Sequence, residues 1–184
     1  MNILGLDMST KKSGYAYFNN KNLIQYGVWE YPGKEQDWRK RCVWMGDKLS
    51  EFCKKHYVDY VFCEEPIFMK NPKTQEQLST IEGIVMWIVH EHNAKAIYLR
   101  PSEWRGCLGL QGSKLKREEL KKLSIDYANK TFNLNLVWKS NTSKFNEDDI
   151  ADSLNVAWSQ ISPCNGNTSI LDRVKLADIF NTEK

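Results

Sequence analysis

The chain has no Cys-x-x-Cys pair. Its five cysteines, Cys42, Cys53, Cys63, Cys107 and Cys164, form an odd and irregularly spaced set. That pattern argues against a disulfide framework or a zinc site and fits a reduced, cytoplasmic setting. Histidine is scarce as well, with three in 184 residues. No apolar run approaches the ~20 residues that a membrane-spanning helix needs. The N-terminus carries no basic segment ahead of an apolar stretch and no cleavage site, so no signal peptide is expected. Internal repeats, low-complexity tracts and domain boundaries are all missing, and residues 1–184 read as a single domain. Charge of one sign is not in large excess: the formal net charge is +3, too mild to establish nucleic-acid binding.

What is present is more telling. Lys and Arg crowd residues 34–55, 70–73 and 100–130, and seven Trp and eight Tyr are available for a core or for stacking on bases. Apolar alternation and turn signals predict strands over 2–8, 13–19 and 22–30 as an antiparallel meander. Helical spacing of Trp38, Cys42, Met45, Leu49 and Phe52 predicts a helix over 35–56, followed by a strand over 58–64 parallel to the first. A helix over 74–92 and a short strand over 95–99 come next, and then a helix starting at Pro101 with Ser102 as its cap. A basic helix over 114–130 and a last helix from about 146 to 161 complete the chain. The expected class is α/β, a mixed five-stranded sheet with helices on both faces.

Asp7 lies within an apolar strand, where a carboxylate is costly without a compensating partner. Further acids stand at a strand end, Glu64-Glu65, and at the start of the last helix, Asp148-Asp149 with Asp152. Asp149 and Asp152 are one turn apart and lie off the stripe of Ile150, Leu154, Ala157 and Ile161. Acids at a helix start also suit the helix dipole, and acids at a strand end are often merely solvated; Asp7 fits neither plain explanation. No histidine neighbours these acids in sequence, so an all-oxygen site for a hard cation is favoured over zinc. Mg²⁺ prefers such ligands, and two ions ~4 Å apart can activate a water and stabilise a leaving oxygen. Strand Asp, strand-end Glu and helical Asp-x-x-Asp, in that order, imply a two-metal nuclease.

At these residues the chain resembles the RuvC family of Holliday junction resolvases, within the ribonuclease H-like superfamily. Ile3-Leu4-Gly5-Leu6-Asp7-Met8-Ser9 with Ser13-Gly14-Tyr15-Ala16 is similar to the family's first motif. Glu65-Pro66-Ile67-Phe68-Met69 is similar to the second, and Asp149-Ile150-Ala151-Asp152-Ser153-Leu154 to the last. Intervening sequence resembles the phage-borne branch. The resemblance implies a ribonuclease H-like fold and four catalytic, metal-binding acids: Asp7, Glu65 in preference to Glu64, Asp149 and Asp152. It implies two Mg²⁺ ions per site, replaceable by Mn²⁺, with Asp148 a rival to Asp149 as inner ligand. Arg105 and Lys116, with Lys114 a close rival, match basic residues near the scissile phosphate, Lys116 in a catalytic role. Phe68 matches an aromatic that wedges at the crossover, at the start of a loop with Lys70, Asn71 and Lys73. Lys11, Lys12, Arg117, Lys121 and Lys122 are further candidates for phosphate contact. A homodimer through residues 74–92, with Gly83 allowing close approach, would match the symmetry of a four-way junction. The implied activity is cleavage of Holliday junctions and related branched DNA, leaving 5′-phosphate. The rivals are a non-catalytic branched-DNA-binding protein of this fold and a nuclease for forks or RNA–DNA hybrids. An actin-like or sugar-kinase ATPase is disfavoured for want of a duplicated domain and a second Gly-rich motif.

Overall fold

The computed structural model describes residues 1–34, 36–66, 71–110, 115–141, 143–163 and 168–173. Three antiparallel strands, β1 (Asn2–Asp7), β2 (Lys12–Asn19) and β3 (Asn22–Glu30), form the meander. After helix α1 (Trp38–His56), strand β4 (Tyr60–Glu64) pairs parallel to β1. Helix α2 (Pro72–Glu91) then leads to β5 (Lys95–Leu99), parallel to β4. The sheet order is β3-β2-β1-β4-β5, which puts the Asp7 strand at the centre. Among the described residues, α3 (Pro101–Cys107), α4 (Arg117–Phe132) and α5 (Asp148–Ile161) follow. The mixed five-stranded sheet with helices on both faces is the expected class. No helix among the described residues is long and apolar enough to cross a membrane.

Period-two alternation sorts the strand residues between two layers. Leu4, Leu6, Val61 and Cys63 face Leu49 and Phe52 of α1 and Val85 and Val89 of α2. Ile3, Ala16, Phe18 and Phe62 face α3, α4 and α5, burying Trp104, Ile125, Ala128 and Leu154. Helix α5 sits directly on the strands. A Cβ added to Gly5 would lie 2.0 Å from the Ser153 carbonyl oxygen, and one on Gly14 would lie 1.9 Å from that of Asp149.

Most helix starts shift from their expected places, and at α1 to α4 a capping group accompanies the shift. Asp37 accepts from the Arg39 amide at 3.0 Å, so α1 begins at Trp38 rather than at 35. Asn71 Oδ1 accepts from the Lys73 amide at 3.0 Å and Pro72 takes the first helical position, so α2 starts two residues early. Ser102 is not the cap of α3. The helix starts after Arg100, whose amide donates to Glu103 Oε2 at 2.8 Å. Glu119 Oε2 accepts from the Lys116 amide at 2.6 Å, which starts α4 at Arg117. Helix α5 starts at Asp148 without a side-chain cap; the Glu147 carboxylate ahead of it accepts instead from the Val137 amide at 2.8 Å.

The expected one-sided stripe on α5 is also corrected. Nearly the whole helix is buried, Asp148 and Asp152 included. Buried hydroxyls make this tolerable by bonding back along the helix: Ser153 Oγ donates to the Ile150 carbonyl at 2.8 Å and Ser159 Oγ to that of Val156 at 2.7 Å.

Candidate active site

Alternation decides which carboxylates meet. On β1, Ile3, Gly5 and Asp7 share the face that looks at α5; on β4, Phe62 and Glu64 do the same. The register pairs Leu6 with Cys63, so Asp7 and Glu64 are the next neighbours, at the carboxyl ends of two parallel strands. The close approach of α5 to Gly14, which pairs with Asp7, brings the first turns of that helix over the same spot. Asp149 and Asp152 interact electrostatically with Asp7 as a result.

Cations and donors hold the acids. Arg105 Nη2 lies 3.9 Å from both Glu64 Oε2 and Asp152 Oδ1, so one guanidinium serves two carboxylates. Trp104 Nε1 donates to Glu64 Oε2 at 2.9 Å. Ser124 Oγ donates to Asp152 Oδ1 at 2.5 Å, and Asn155 Nδ2 in turn donates to Ser124 Oγ at 2.8 Å and to the Ser124 carbonyl at 2.9 Å. Lys12 Nζ pairs with Asp149 Oδ2 at 2.9 Å and donates to the Asn146 carbonyl at 3.1 Å. Lys121 pairs with Asp148.

Like charges out of water push their pKa values up. Desolvation first, then Asp152, Glu64 and Asp149, raise Asp7 well above the usual carboxylate range. Burial and Asp152 push Glu64 up to about 7, against the opposing pull of Arg105 and the Trp104 hydrogen bond. Asp152 is raised by burial, while Arg105 and Ser124 pull it back. A carboxyl with a raised folded pKa adds stability below its unfolded value and loses it as pH climbs through the folded one. For Glu64 that window runs from 4.5 to about 7. At ~1.4 kcal/mol per pKa unit, the loss is on the order of 3 kcal/mol. Glu64→Gln should therefore melt level with the metal-free parent at pH 4 and above it at pH 8. Parallel melting curves across that range would refute the charge repulsion.

Among the described residues, no three acidic, histidine or cysteine side chains converge tightly enough to cage an ion as they now stand. The donor set nevertheless fits a hard cation. It consists of carboxylate oxygens, it repels itself, and the ammonium and guanidinium groups of Lys12, Lys121 and Arg105 already supply the positive charge that it requires.

Of the acids expected from sequence, the structure brings together Asp7, Asp149 and Asp152, but not Glu65. The Glu65 carboxylate turns away to Arg100 Nε at 3.3 Å and is 43% exposed. It sits on the opposite side of the strand alternation, and its amide donates to the Leu99 carbonyl at 2.8 Å. Glu64 takes the place instead. Arg105, expected on phosphate, is 14% exposed and packs on the Trp104 ring at 4.2 Å between the acids. Lys116 lines an open cleft beside Lys12 and Lys121. Phe68, Lys70 and Lys114 lie outside the described residues. Sequence reasoning missed Trp104, Ser124 and Asn155. The one signal for them was a polar Asn155 between Leu154 and Val156 in a helix with a strong apolar stripe.

Comparison with known proteins agrees with this architecture. The sequence profile of a family described as Lactococcus phage M3 protein matches residues 1–159. The crossover junction endodeoxyribonuclease RuvC of Dictyoglomus thermophilum is 27% identical over 109 residues, 56% of this chain and 67% of the relative. That of Dictyoglomus turgidum is 26% identical over the same length. Among solved structures, Thermus thermophilus RuvC in complex with Holliday junction substrate superposes with a TM-score of 0.66 at 14% identity, covering 87% of this chain and 92% of that one. The yeast mitochondrial Holliday junction resolvase Ydc2 gives a TM-score of 0.56 at 16% identity, covering 86% and 77%.

Proposed function

Because the chain belongs to the family of Lactococcus phage M3 proteins and carries the fold of RuvC, we propose that it is a metal-dependent endonuclease that resolves Holliday junctions and related branched DNA. The observation that carries this reading is the cluster of Asp7, Glu64 and Asp152 under the first turns of α5, three carboxyls whose charges oppose one another. Asp7, Glu64, Asp149 and Asp152 would hold two Mg²⁺ ions, or Mn²⁺ in their place. When bound, such ions lower the pKa of a water and stabilise the leaving oxygen.

The protein's own groups set the geometry. Trp104 Nε1 fixes one oxygen of Glu64, and Ser124, braced by Asn155, fixes one of Asp152. Arg105 stands between those two carboxylates and keeps them from drifting apart before DNA arrives. Lys12 and Lys121 hold Asp149 and Asp148, and both face the cleft that Lys116 lines. A phosphate entering there meets ammonium groups that can stabilise its developing charge, Lys116 among them. Attack of water on phosphorus breaks the bond to the 3′ oxygen and leaves 5′-phosphate and 3′-hydroxyl ends.

Two cuts on a junction call for two sites related by symmetry, and α2 provides a face for a second copy. Ile81, Val85 and Val89 are spent on the core, but Met86 is 50% and Trp87 64% exposed. Among the described residues, nothing lies within 4 Å of the Cβ position of Gly83 on the same helix.

The test is cleavage of labelled four-way junction, fork, linear duplex and RNA–DNA hybrid with Mg²⁺ or Mn²⁺, alongside Asp7→Asn and Trp87→Glu. Paired symmetric nicks on the junction are expected, lost in Asp7→Asn and uncoupled in Trp87→Glu. Equal cutting of forks would broaden the substrate to branched DNA in general, and preference for the hybrid would replace it. A folded, metal-loaded protein that binds DNA and cuts none would be a binding module.

A further inference from the structure

The segment between α4 and α5 carries Phe145, a large apolar ring left 62% exposed. Its ring is flanked by two ammonium groups, Lys139 Nζ at 4.9 Å and Lys144 Nζ at 5.2 Å from the centroid. The segment is braced on both sides of the ring. Asn146 Oδ1 accepts from the Lys139 amide at 2.9 Å, Asn146 Nδ2 donates to the Ser140 carbonyl at 2.6 Å, and the Phe145 amide donates to Ser143 Oγ at 3.2 Å. The Glu147 amide donates to the Val137 carbonyl at 3.1 Å. An apolar side chain held in water by so many backbone ties, with cations against its face, is built to be covered by something flat and anionic nearby.

The same segment forms one wall of a cleft of about 670 Å³. Lys116, Arg117 and Lys121 come from the α4 side, Lys11 and Lys12 from the turn after β1, and Lys144 from the Phe145 segment. Asp148 and Asp149 of the candidate active site also line it. Phe145 precedes Asp148 by three residues, a reach of about 10 Å at most. That is roughly three base steps at 3.4 Å per nucleotide.

We propose that this cleft carries the nucleotides adjoining the scissile phosphate, and that Phe145 stacks on an unpaired base at its mouth while Lys139 and Lys144 move from the ring to the flanking phosphates. The inference rests on the nuclease reading and adds to it a second aromatic contact, separate from the Phe68 loop. Stacking tolerates any base because each has a π face, so the contact would favour distorted or single-stranded DNA without dictating sequence.

The experiment is metal-free binding of a four-way junction carrying 2-aminopurine at successive positions beside the crossover. It compares the parent, Phe145→Ala, Phe145→Trp and the Lys139→Ala/Lys144→Ala pair, each checked for an unchanged circular dichroism spectrum. The parent and Phe145→Trp should perturb the fluorescence at one position. Phe145→Ala should lose that signal and bind about tenfold more weakly, within the range known for one stacked base. Removing both lysines should reduce the slope of log affinity against log salt by about 1 to 2. If Phe145→Ala binds and reports at every position like the parent, the stacking role is overturned while the nuclease reading stands. If the parent binds no DNA of any form, both fall together.

Discussion

Glu64→Gln should abolish cleavage and leave junction binding intact, whereas Glu65→Gln should cut within about threefold of the parent. A charged oxygen that holds a catalytic cation contributes several kcal/mol to the transition state, which is roughly 10³-fold in rate. Glu64 is placed for this, beside Asp7 and Asp152 and fixed by Trp104 Nε1 at 2.9 Å. Glu65 makes an ion pair with Arg100 in which the two side chains are 43% and 70% exposed. Such a pair is worth between 0 and about 1 kcal/mol, mostly to the local surface. The two variants differ by one position and make the same carboxyl-to-amide replacement, so differences of size and shape cancel between them. Loss of cleavage in Glu65→Gln with retention in Glu64→Gln would return the catalytic role to Glu65 and require β4 to turn over when DNA and metal bind.

That pair of residues also shows where sequence reading works and where it stops. The strands of the meander, β4 and β5 are visible as apolar runs between turn signals, and their extents differ from expectation by a residue or two. Helix starts are less legible, because they depend on which polar side chain reaches a free amide. Asp37 and Asn71 do so at α1 and α2, whereas α3 starts from Arg100, two residues ahead of Ser102, a good cap by type. Between Glu64 and Glu65 the alternation Val61, Phe62, Cys63, Glu64 already showed which acid faces Asp7, since the wide aromatic and Glu64 share a face. The likeness of Glu65-Pro66-Ile67-Phe68-Met69 to a family motif pointed one residue further on. A slip of one residue in a strand turns a side chain to the other face, so motif matching and strand alternation name different acids here. Arg105 and Asn155 were hard to place for a different reason. Their partners, Glu64, Asp152 and Ser124, are distant in sequence, and only the packing of α3, α4 and α5 on one sheet face brings them together.

Gly14→Ala should impair cleavage at temperatures where the variant is still folded, and Gly5→Ala should act chiefly on stability. Both residues lie under α5, and in both an added Cβ meets helix backbone, which cannot swing aside as a side chain end can. At Gly5 it would lie 2.0 Å from the Ser153 carbonyl oxygen and 2.8 Å from the Ala157 Cβ. At Gly14 it would lie 1.9 Å from the Asp149 carbonyl oxygen and 2.9 Å from the Ile150 amide nitrogen. Relief requires α5 to rise from the sheet, which opens the layer holding Leu154, Phe62 and Trp104. Overpacking of this kind costs about 3 kcal/mol or more, a fall in Tm of about 10 °C for a chain of this size. Gly83→Ala, with nothing among the described residues within 4 Å of the new methyl, is the control and should melt level with the parent or slightly above it. The two buried glycines differ in what moves with the helix. Gly14 pairs with Asp7 across the strands, and the backbone it displaces is that of Asp149 itself. Gly5 pushes one turn further along, at Ser153. Equal losses of Tm with unequal losses of cleavage, Gly14→Ala the worse, would show that α5 matters to the reaction through the position of its first turn. A folded Gly14→Ala that cleaves at the parental rate would mean that Asp149 need not stay beside Asp7, and would leave Asp7, Glu64 and Asp152 as the working set.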